Sequence, residues 1–467
     1  MTQWTDEQRT IIDEPFRSTV VIAAPGSGKT SVLTERIATV VRRDRIAPNR
    51  ILAVTFTRQA AEHMRQKLTR HDLLTFRATE SLRIGTFHAQ IFRALLEVTP
   101  NIPVLLNTRE QFTMMRTAMC RVVRKADEIT HRAVIERLTE YSRVVGCGIR
   151  PASRESGRVF TAYTKLKRAR NRWDYDDILL AGASAVEKGI DLPFFDRLQY
   201  LLVDEFQDTN AVQWALVAAM HHRYQIPIFV VGDDDQSVYG FRGASPGYLQ
   251  RCSSATRDCA EMLLTHNFRS DTSIVHCAEQ LIRHVAHRID KPLRPVSQTP
   301  GLVRIAMVRD EGDEAAAVVA LVRFILQIRP QATIGILART RRQLYLTWRQ
   351  MDTAVGGGAN ALNAVQFRTF HDSKGREWDV VVLLDLVVSR AVCRDAELDD
   401  DERRLQYVAM TRARYVLVGF VPMQMAGRKT NVAPFVFESG LEPAPLITAT
   451  LMEEVENALT VHTEVSC

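Results

Sequence analysis

The sequence predicts an α/β protein with two domains built on parallel sheets and a helical insertion in the first domain. Ten apolar runs rich in β-branched residues recur along the 467 residues, and helical patterns separate them. These runs are continuous rather than alternating, which is typical of strands buried on both faces. Strands that alternate with helices favour βαβ units, and ten strands are too many for one comfortable sheet.

The predicted strands and domains follow in chain order. The strands are 20–24, 51–56, 200–205, 228–233, 262–267, 303–308, 334–339, 365–370, 380–386 and 415–420. Segments such as 31–43 and 60–70 carry the helical patterns between them. We expect the first domain at 1–94 and 173–261, the insertion at 95–172 and the second domain at 262–467.

The insertion is predicted from composition, because 95–172 is rich in arginine and helix formers and has few strand signals. It ends in a dense basic run at 165–174. Such a run is equally consistent with a solvated helix face and with phosphate contacts. Both interpretations remain open at this point.

Composition excludes several classes of protein. Hydrophobic residues make up 46% and charged residues 25%, which is typical of a globular rather than a disordered chain. The longest apolar run, around Val380, is too short to cross a bilayer, and MTQWTDEQRT does not resemble a signal peptide. Seven cysteines without CxxC spacing favour reduced thiols over disulfides or zinc. We therefore expect a cytoplasmic protein, and the net charge of +7 weakly suggests an anionic partner.

The sharpest local signal is APGSGKT at 24–30, between a predicted strand and a predicted helix. It matches the phosphate-binding P-loop except that Ala23 stands where the pattern has its first glycine. Gly26, Ser27 and Gly28 would let backbone N–H groups surround phosphate oxygens. Lys29 would reach the β- and γ-phosphates, and Thr30 would bind Mg²⁺.

The segment LLVDEFQD at 201–208 supplies the complementary acids. A strand that ends in two acids places carboxylates at the carboxyl edge of a parallel sheet, where ligands bind. Asp204 would hold Mg²⁺, and Glu205 is the candidate general base for an attacking water. Paired surface acids are common, so the prediction of a nucleotide site at this segment depends on the P-loop that accompanies it.

With these residues in place, the chain resembles the superfamily 1 DNA helicases of the UvrD/Rep/PcrA type. The family's ordered motifs match segments from WTDEQRTII through THNFRS (265–270) and TFHDSKGREWD (369–379) to ERRLQYVAMTRAR (402–414). The resemblance implies two RecA-like P-loop NTPase domains with a 1B-like insertion. It further implies that ATP and Mg²⁺ are the cofactors and that the chain acts on single-stranded DNA and on single-strand/duplex junctions. No membrane partner is expected, and the sequence indicates no particular protein partner.

The resemblance assigns roles residue by residue. Implied for catalysis are Lys29, Glu205, Gln236, Arg269 and Arg412. Implied for nucleotide binding, besides the P-loop and Asp204, are Gln8, Arg36, Phe268 and Glu377. Implied for DNA are Phe56, Thr57, Thr86, His88, Tyr239, Phe241, Arg242, Thr369 and His371. Core packing stays open for Phe56, and Phe241 occupies a place where relatives often carry tryptophan, so stacking on a base would use a smaller face.

The predicted function is that of an ATP-dependent 3′-to-5′ DNA helicase and translocase, with ATP closing and reopening the two domains. Relatives carry a second insertion, called 2B, before the TFHDSKG segment. Only residues 339–368 are available for it here, and they hold one helical pattern and the turn Gly356–Gly358. We therefore expect 2B to be absent and the segment after Phe420 to lack a nuclease domain. The alternatives are a translocase that displaces proteins without efficient unwinding, or the motor subunit of a nuclease, defence or mobile-element complex.

Overall fold

The structure is a computed structural model that describes residues 4–70, 73–99, 101–123, 129–190, 192–256, 258–355, 364–388 and 400–464. The chain divides into two compact units. Unit 1 comprises Met1–Ala23 and Lys29–Leu264, and unit 2 comprises Ala24–Gly28 and Thr265–Cys467. The predicted glycine turn Gly356–Gly358 lies outside the described residues.

Unit 1 is built on a parallel sheet of six strands in the order β3-β2-β6-β7-β1-β8. Its strands are β1 (Thr19–Ala23), β2 (Ile51–Thr55), β3 (Arg83–Thr86), β6 (Tyr200–Val203), β7 (Ile228–Gly232) and β8 (Ala260–Leu264). Every residue of β1, β2, β6 and β7 is buried, as continuous apolar runs predict.

Helices join the strands of unit 1, and several of them begin at a side-chain cap. In the first helix, Thr5 and Gln8 form a reciprocal capping box. The helices outside the insertion are Asp6–Ile12, Lys29–Arg42, Arg58–Arg70, Phe76–Ser81, Phe87–Val98, Tyr175–Glu187, Pro193–Asp196, Ala211–Tyr224 and Gly247–Ala255. Single 3₁₀ turns lie at Pro48–Arg50, Phe206–Asp208, Asp234–Gln236 and Gly240–Arg242.

The segment predicted as a helical insertion contains three long helices, Thr108–Cys120, His131–Cys147 and Arg154–Ala169. They enclose a separate apolar core that includes Met115, Val134 and Tyr163. Two short parallel strands, β4 (Val104–Leu105) and β5 (Arg172–Trp173), join its beginning to its end.

The basic run at the end of this insertion is divided between burial and exposure. Lys167 is buried, and its Nζ donates to Asp174 Oδ2 at 2.7 Å and to Asp177 Oδ2 at 2.6 Å. Lys165, Arg168 and Arg170 are exposed. The buried lysine therefore joins the insertion to the start of the helix Tyr175–Glu187, which neither interpretation of the run anticipated.

Unit 2 contains a seven-stranded sheet whose main path is β13-β12-β14-β15-β11-β17, with β16 paired antiparallel to β15. Its strands are β9 (His266–Asn267), β10 (Arg294–Pro295), β11 (Leu302–Asp310), β12 (Ile334–Ala338), β13 (Val365–Thr369), β14 (Trp378–Leu383), β15 (Ala413–Met425), β16 (Arg428–Lys429) and β17 (Ala444–Pro445). Its helices are Thr272–Ile282, Glu311–Ile328, Arg341–Val355, Asp400–Met410, Pro434–Glu438 and Thr448–Glu464, and a 3₁₀ turn lies at His371–Ser373. Strands β9 and β10 form a separate parallel pair.

The predicted fold class is confirmed, since both units carry parallel sheets flanked by helices. The strand β3 was not predicted. In the part of the chain that the structure describes, no helix is long and apolar enough to cross a membrane. The described cysteines are free; they are Cys120, Cys147, Cys252, Cys259 and Cys277.

Candidate functional site

The loop between β1 and the helix Lys29–Arg42 has the backbone of a phosphate cradle. Gly26 and Gly28 lie at φ +67° and +81°, in the left-handed region that glycine adopts without strain. A Cβ on Gly26 would meet Arg269 Cβ at 2.8 Å and Asn267 Oδ1 at 3.0 Å. Ser27 Oγ closes the turn by donating to Ala24 O at 2.8 Å. Gly26 therefore leaves no room for a side chain against Asn267 and Arg269, and the positive-φ glycine backbone of the loop fits a phosphate group.

The two predicted Mg²⁺ ligands are brought together within unit 1. Thr30 Oγ1 lies 3.5 Å from Asp204 Oδ2, and Lys29 Nζ lies 3.8 Å from Asp233 Oδ2. Burial and the charge of Glu205 raise the pKa of Asp204 to about 7, although Lys29 opposes them. A hydroxyl and a carboxylate are ligands that Mg²⁺ prefers, so these residues fit the ion.

The candidate general base Glu205 is held by a neighbour that the motif reading did not single out. Gln207 is fully buried, and its Nε2 donates to Glu205 Oε2 at 2.5 Å. Its Oε1 accepts from Asp233 N at 3.0 Å. Gln236 Nε2 in turn donates to Asp233 Oδ2 at 2.5 Å. Glu205 and Gln236, two predicted catalytic residues, are thus linked through Gln207 and Asp233.

Asp233 is a functional candidate of unit 1 that was not predicted from the sequence. It follows β7 as Asp204 follows β6, and β6 and β7 are neighbours in the sheet. The rule that selected Asp204, acids at the carboxyl edge of a parallel sheet, selects Asp233 as well. Asp233, Asp234 and Asp235 are all buried, and their oxygens lie within 4.8 Å of one another.

Gln8 and Arg36, both predicted to bind nucleotide, have structural partners. Gln8 Oε1 accepts from Thr5 N at 3.1 Å. Arg36 is fully buried, and its guanidinium donates to Ile12 O at 3.1 Å, to Pro15 O at 3.0 Å and to Glu14 O. The structure therefore shows Arg36 holding the chain after the first helix, while its contact with nucleotide stays a prediction.

Within unit 2, the predicted residues Arg269 and Glu377 form an ion pair, and a further arginine also contacts Glu377. Arg269 Nε donates to Glu377 Oε2 at 2.8 Å, and Arg414 also donates to Glu377. Burial alone would raise the pKa of Glu377, but the two arginines outweigh it and lower the pKa to about 2. Phe268 has a ring that is 46% exposed, and its N donates to Gly26 O at 3.0 Å. Arg414 lies inside the matched segment 402–414, but no role was predicted for it.

Arg412, the predicted second arginine finger, is buried. Its Nε donates to Val408 O at 2.8 Å, and one Nη donates to Thr411 Oγ1 at 3.0 Å. Its guanidinium is thus held by the last turn of the helix Asp400–Met410 and by Thr411, which follows that helix. A role at the γ-phosphate stays a prediction for Arg412.

Four predicted DNA-binding residues of unit 1 form one aromatic and basic cluster. Phe56 stacks on Tyr239 with ring centroids 5.2 Å apart and an interplanar angle of 18°. Tyr239 lies 6.0 Å from Phe241, and Arg242 lies over both rings at 5.6 and 5.5 Å. Phe241 is 41% exposed, and Phe56 is only partly buried. Phe56 therefore belongs to this surface cluster rather than to the core.

The other DNA candidates of unit 1 lie at helix N-termini. Thr57 Oγ1 accepts from Ala60 N at 3.0 Å, and Thr86 caps the helix Phe87–Val98. His88 packs edge-on against Tyr175 at 5.5 Å. Burial lowers the pKa of His88 to about 4. It is therefore neutral at physiological pH and would contact DNA by hydrogen bonding rather than by charge.

Thr369 and His371 lie in unit 2, where β13 ends. Thr369 Oγ1 accepts from Asp372 N, within the 3₁₀ turn His371–Ser373, at 3.2 Å. Both side chains are partly buried. Thr86 and Thr369 thus end strands, and Phe56 and Thr57 directly follow β2.

The chain matches two protein-family models and several known proteins. The UvrD/REP helicase N-terminal domain matches residues 4–256, and the UvrD-like helicase C-terminal domain matches residues 351–419. The ATP-dependent DNA helicase PcrA of Leuconostoc citreum is 26% identical over 452 residues, which cover 92% of this chain and 57% of that protein. UvrD2 of Mycobacterium tuberculosis H37Rv is 29% identical over 366 residues, 72% of this chain and 52% of the relative. PcrA of Bacillus subtilis is 27% identical over 389 residues, which cover 79% of this chain and 51% of that protein. The chain spans about half the length of the curated relatives it matches.

Proposed function

The chain belongs to the UvrD/REP helicase family, and we propose that it is an ATP-dependent DNA helicase that translocates 3′ to 5′ on single-stranded DNA. The observation that carries this proposal is the cluster at the carboxyl edge of the first sheet. There Thr30 lies beside Asp204, Lys29 beside Asp233, and Glu205 is fixed by a buried glutamine. A phosphate cradle, a cation and a positioned base are the parts that phosphoryl transfer to water requires.

In the proposed reaction, backbone N–H groups of the P-loop and Lys29 bind the phosphates of ATP. Thr30 and Asp204 would hold Mg²⁺, which neutralises phosphate charge when bound. Glu205 accepts a proton from the attacking water. Arg269 and Arg412 of unit 2 supply positive charge to the γ-phosphate as the bond to the leaving group breaks. Phe268, with its exposed ring, stacks on adenine.

The proposed DNA track uses stacking and phosphate contacts. The ring of Phe241, beside Tyr239 and Arg242, presents an aromatic face that any base can stack on. Thr57, Thr86, Thr369 and His371 would contact the sugar–phosphate backbone. Binding of this kind tolerates any base sequence and weakens with salt, as a motor on single strands requires.

Duplexes with a 3′ or a 5′ single-stranded tail test both polarity and helicase activity. We expect ATP-dependent strand separation on the 3′-tailed duplex and little on the 5′-tailed one. Lys29→Ala should abolish separation on both, because the phosphates lose their cation. Preferential unwinding of the 5′-tailed duplex would reverse the proposed polarity, and full activity of Lys29→Ala would remove the proposed ATP site.

A second candidate function is a translocase that displaces proteins from single strands without efficient unwinding. Its support is the short connection from β12 to β13, residues 339–364, in which the structure describes one helix, Arg341–Val355. Displacement of streptavidin from a biotinylated single strand, run beside the tailed duplexes, separates the two functions. Fast displacement with negligible strand separation favours the translocase.

A further inference from the structure

The helix Arg341–Val355 exposes two aromatic side chains that are not buried in the core of unit 2. Tyr345 is 60% exposed and Trp348 is 45% exposed, and their ring centroids lie 6.1 Å apart at 30°. The other face of the helix is buried through Leu344, Thr347 and Met351. Large aromatics placed together on the solvent face are typical of a binding surface.

Arginines flank the two rings on the same helix face. Arg341, Arg342 and Arg349 are exposed, and the positions 341, 342, 345, 348 and 349 share one face at helical spacing. We call these five residues the Arg341–Arg349 stripe. Arg341 has one distant ion pair, with Asp372 at 3.8 Å. Among the described residues, Arg342 and Arg349 have no ion-pair partner.

The stripe begins beside the residues predicted to contact DNA in the same unit. Ala338, at the end of β12, pairs with Thr369 at the end of β13, and the helix starts three residues later. Asp372, the partner of Arg341, directly follows His371. From Arg341 to Arg349 the helix rises about 12 Å, the length of roughly three or four stacked nucleotides.

We propose that the Arg341–Arg349 stripe is an additional single-stranded DNA contact that extends the track from Thr369 and His371 along this helix. The inference rests on the proposed function. Tyr345 and Trp348 stack on unpaired bases, which a duplex does not present, and the arginines bind the phosphates. Tyrosine, tryptophan and arginine are also frequent in protein interfaces. The positive charge of the helix favours a polyanion over a protein partner, because Asp352 is the one exposed acid that the structure describes on this helix.

Binding of a length series of oligo(dT) to the full chain, followed by fluorescence anisotropy, tests the proposal. For wild type, affinity should rise with length to a plateau. For Tyr345→Ala/Trp348→Ala we expect a plateau about three nucleotides shorter and an affinity for the longest oligonucleotide about 30-fold lower. For Arg342→Ala/Arg349→Ala, the slope of log affinity against log salt should fall by about 1.4, since each phosphate contact on a single strand contributes ~0.7.

Matched controls use exposed residues of the same unit outside the stripe. Phe437 is 55% exposed and Arg428 is exposed, so Phe437→Ala and Arg428→Ala should keep the wild-type plateau and slope. Trp348→Phe should keep the plateau while losing part of the tryptophan quenching that oligo(dT) causes. The proposed DNA contact of the stripe would be wrong if the plateau were unchanged in both double variants. It would also be wrong if they lost affinity equally for oligo(dT) of every length.

The proposed function has its own readout in the same experiment. If oligo(dT) does not stimulate ATP hydrolysis by wild type, the motor itself is wrong, and the stripe falls with it. If stimulation is normal and the double variants bind like wild type, only the stripe is wrong.

Discussion

At the scale of single residues, the backbone at Glu205 directs two neighbouring acids to different partners. Glu205 lies at φ +52°, a left-handed conformation that costs a residue with a Cβ about 1–2 kcal/mol. The conformation leaves Asp204 next to Thr30 and places Glu205 on Gln207. Glu205 N also donates to Asp204 Oδ1 at 3.0 Å. The strain is thus accompanied by a fixed direction for each carboxylate; under the proposed function, Asp204 would hold Mg²⁺ and Glu205 would accept a proton from water.

Glu205→Gln should keep ATP binding and lose hydrolysis. The amide retains the size of the side chain but cannot accept the proton of water, and a general base contributes about 10²–10⁴-fold to rate. We expect kcat to fall within that range while ATP affinity stays near wild type, measured by single-turnover hydrolysis and nucleotide binding. Glu187→Gln, at the end of the helix Tyr175–Glu187, is the matched control and should hydrolyse normally. Hydrolysis that survives in Glu205→Gln would assign the base to another residue.

His88 gives a pH prediction at the same scale. Its pKa is lowered from 6.5 to about 4 by burial, so the unfolded chain binds a proton more readily than the folded one between these values. The associated stability is therefore complete above pH 6.5 and is lost as pH falls towards 4. His88→Gln should flatten the pH dependence of the free energy of unfolding in this window, measured by denaturant titration. A wild-type slope in the variant would show that His88 is not the group responsible.

At the scale of elements, the insertion supports the turn that carries the aromatic cluster. The helix His131–Cys147 ends at Gly148, and Cys147 Sγ lies 3.6 Å from Gly243 O. Gly243 follows the 3₁₀ turn Gly240–Arg242 and lies at φ +89°. The close approach requires glycine, because a Cβ at Gly243 would meet Cys147 Sγ at 2.4 Å. Packing of the insertion thus helps to place Phe241 and Arg242.

Gly243→Ala should therefore weaken both stability and DNA binding. The variant combines a left-handed alanine with a clash, and we expect a loss of about 1–3 kcal/mol in the free energy of unfolding. Gly148→Ala is the matched control, since Gly148 lies at φ +66° with nothing within 4 Å of its added Cβ. It should lose only the backbone part, about 1 kcal/mol. Thermal unfolding and oligo(dT) binding check both, and equal losses in the two variants would exclude the clash.

Sequence reasoning predicted long elements well and short or paired ones poorly. Each of the ten apolar runs contains a strand. A continuous run of β-branched residues can bury the side chains of both its faces as a strand inside a parallel sheet. The strand β3 was missed because Arg83–Thr86 offers a single large apolar residue, Ile84, and pairs only at the edge of the sheet. Lys167 lies in a basic run for which a solvated face and phosphate contacts both stayed open, because its partners, Asp174 and Asp177, come close only when the helix ends fold together.

At the scale of the whole molecule, the same contrast applies to the candidate site. Lys29, Thr30 and Asp204 could be predicted because each lies in a local motif whose backbone determines its direction. Asp233 lies far from Lys29 in sequence, and Arg414 far from Glu377, so their pairing depends on strand order. The candidate machinery is spread over both units, with the acids and the P-loop lysine in unit 1 and Arg269 and Arg412 in unit 2. The proposed motor, built this way, should couple the binding of ATP to the binding of single-stranded DNA.

That coupling gives the last prediction. If ATP and single-stranded DNA both favour the same state of the molecule, each must change the affinity of the other by one common factor. In Glu205→Gln, which should hold ATP without hydrolysing it, we expect ATP to change oligo(dT) affinity by about 5–150-fold, the usual range of allosteric coupling. Oligo(dT) must then change ATP affinity by the same factor, measured by nucleotide titration with and without DNA. Lys29→Ala/Glu205→Gln serves as control, because loss of the phosphate contact should bring the factor towards one. A factor of one in Glu205→Gln itself would mean that ATP binding does no work on the DNA track, and the proposed motor would have no physical basis.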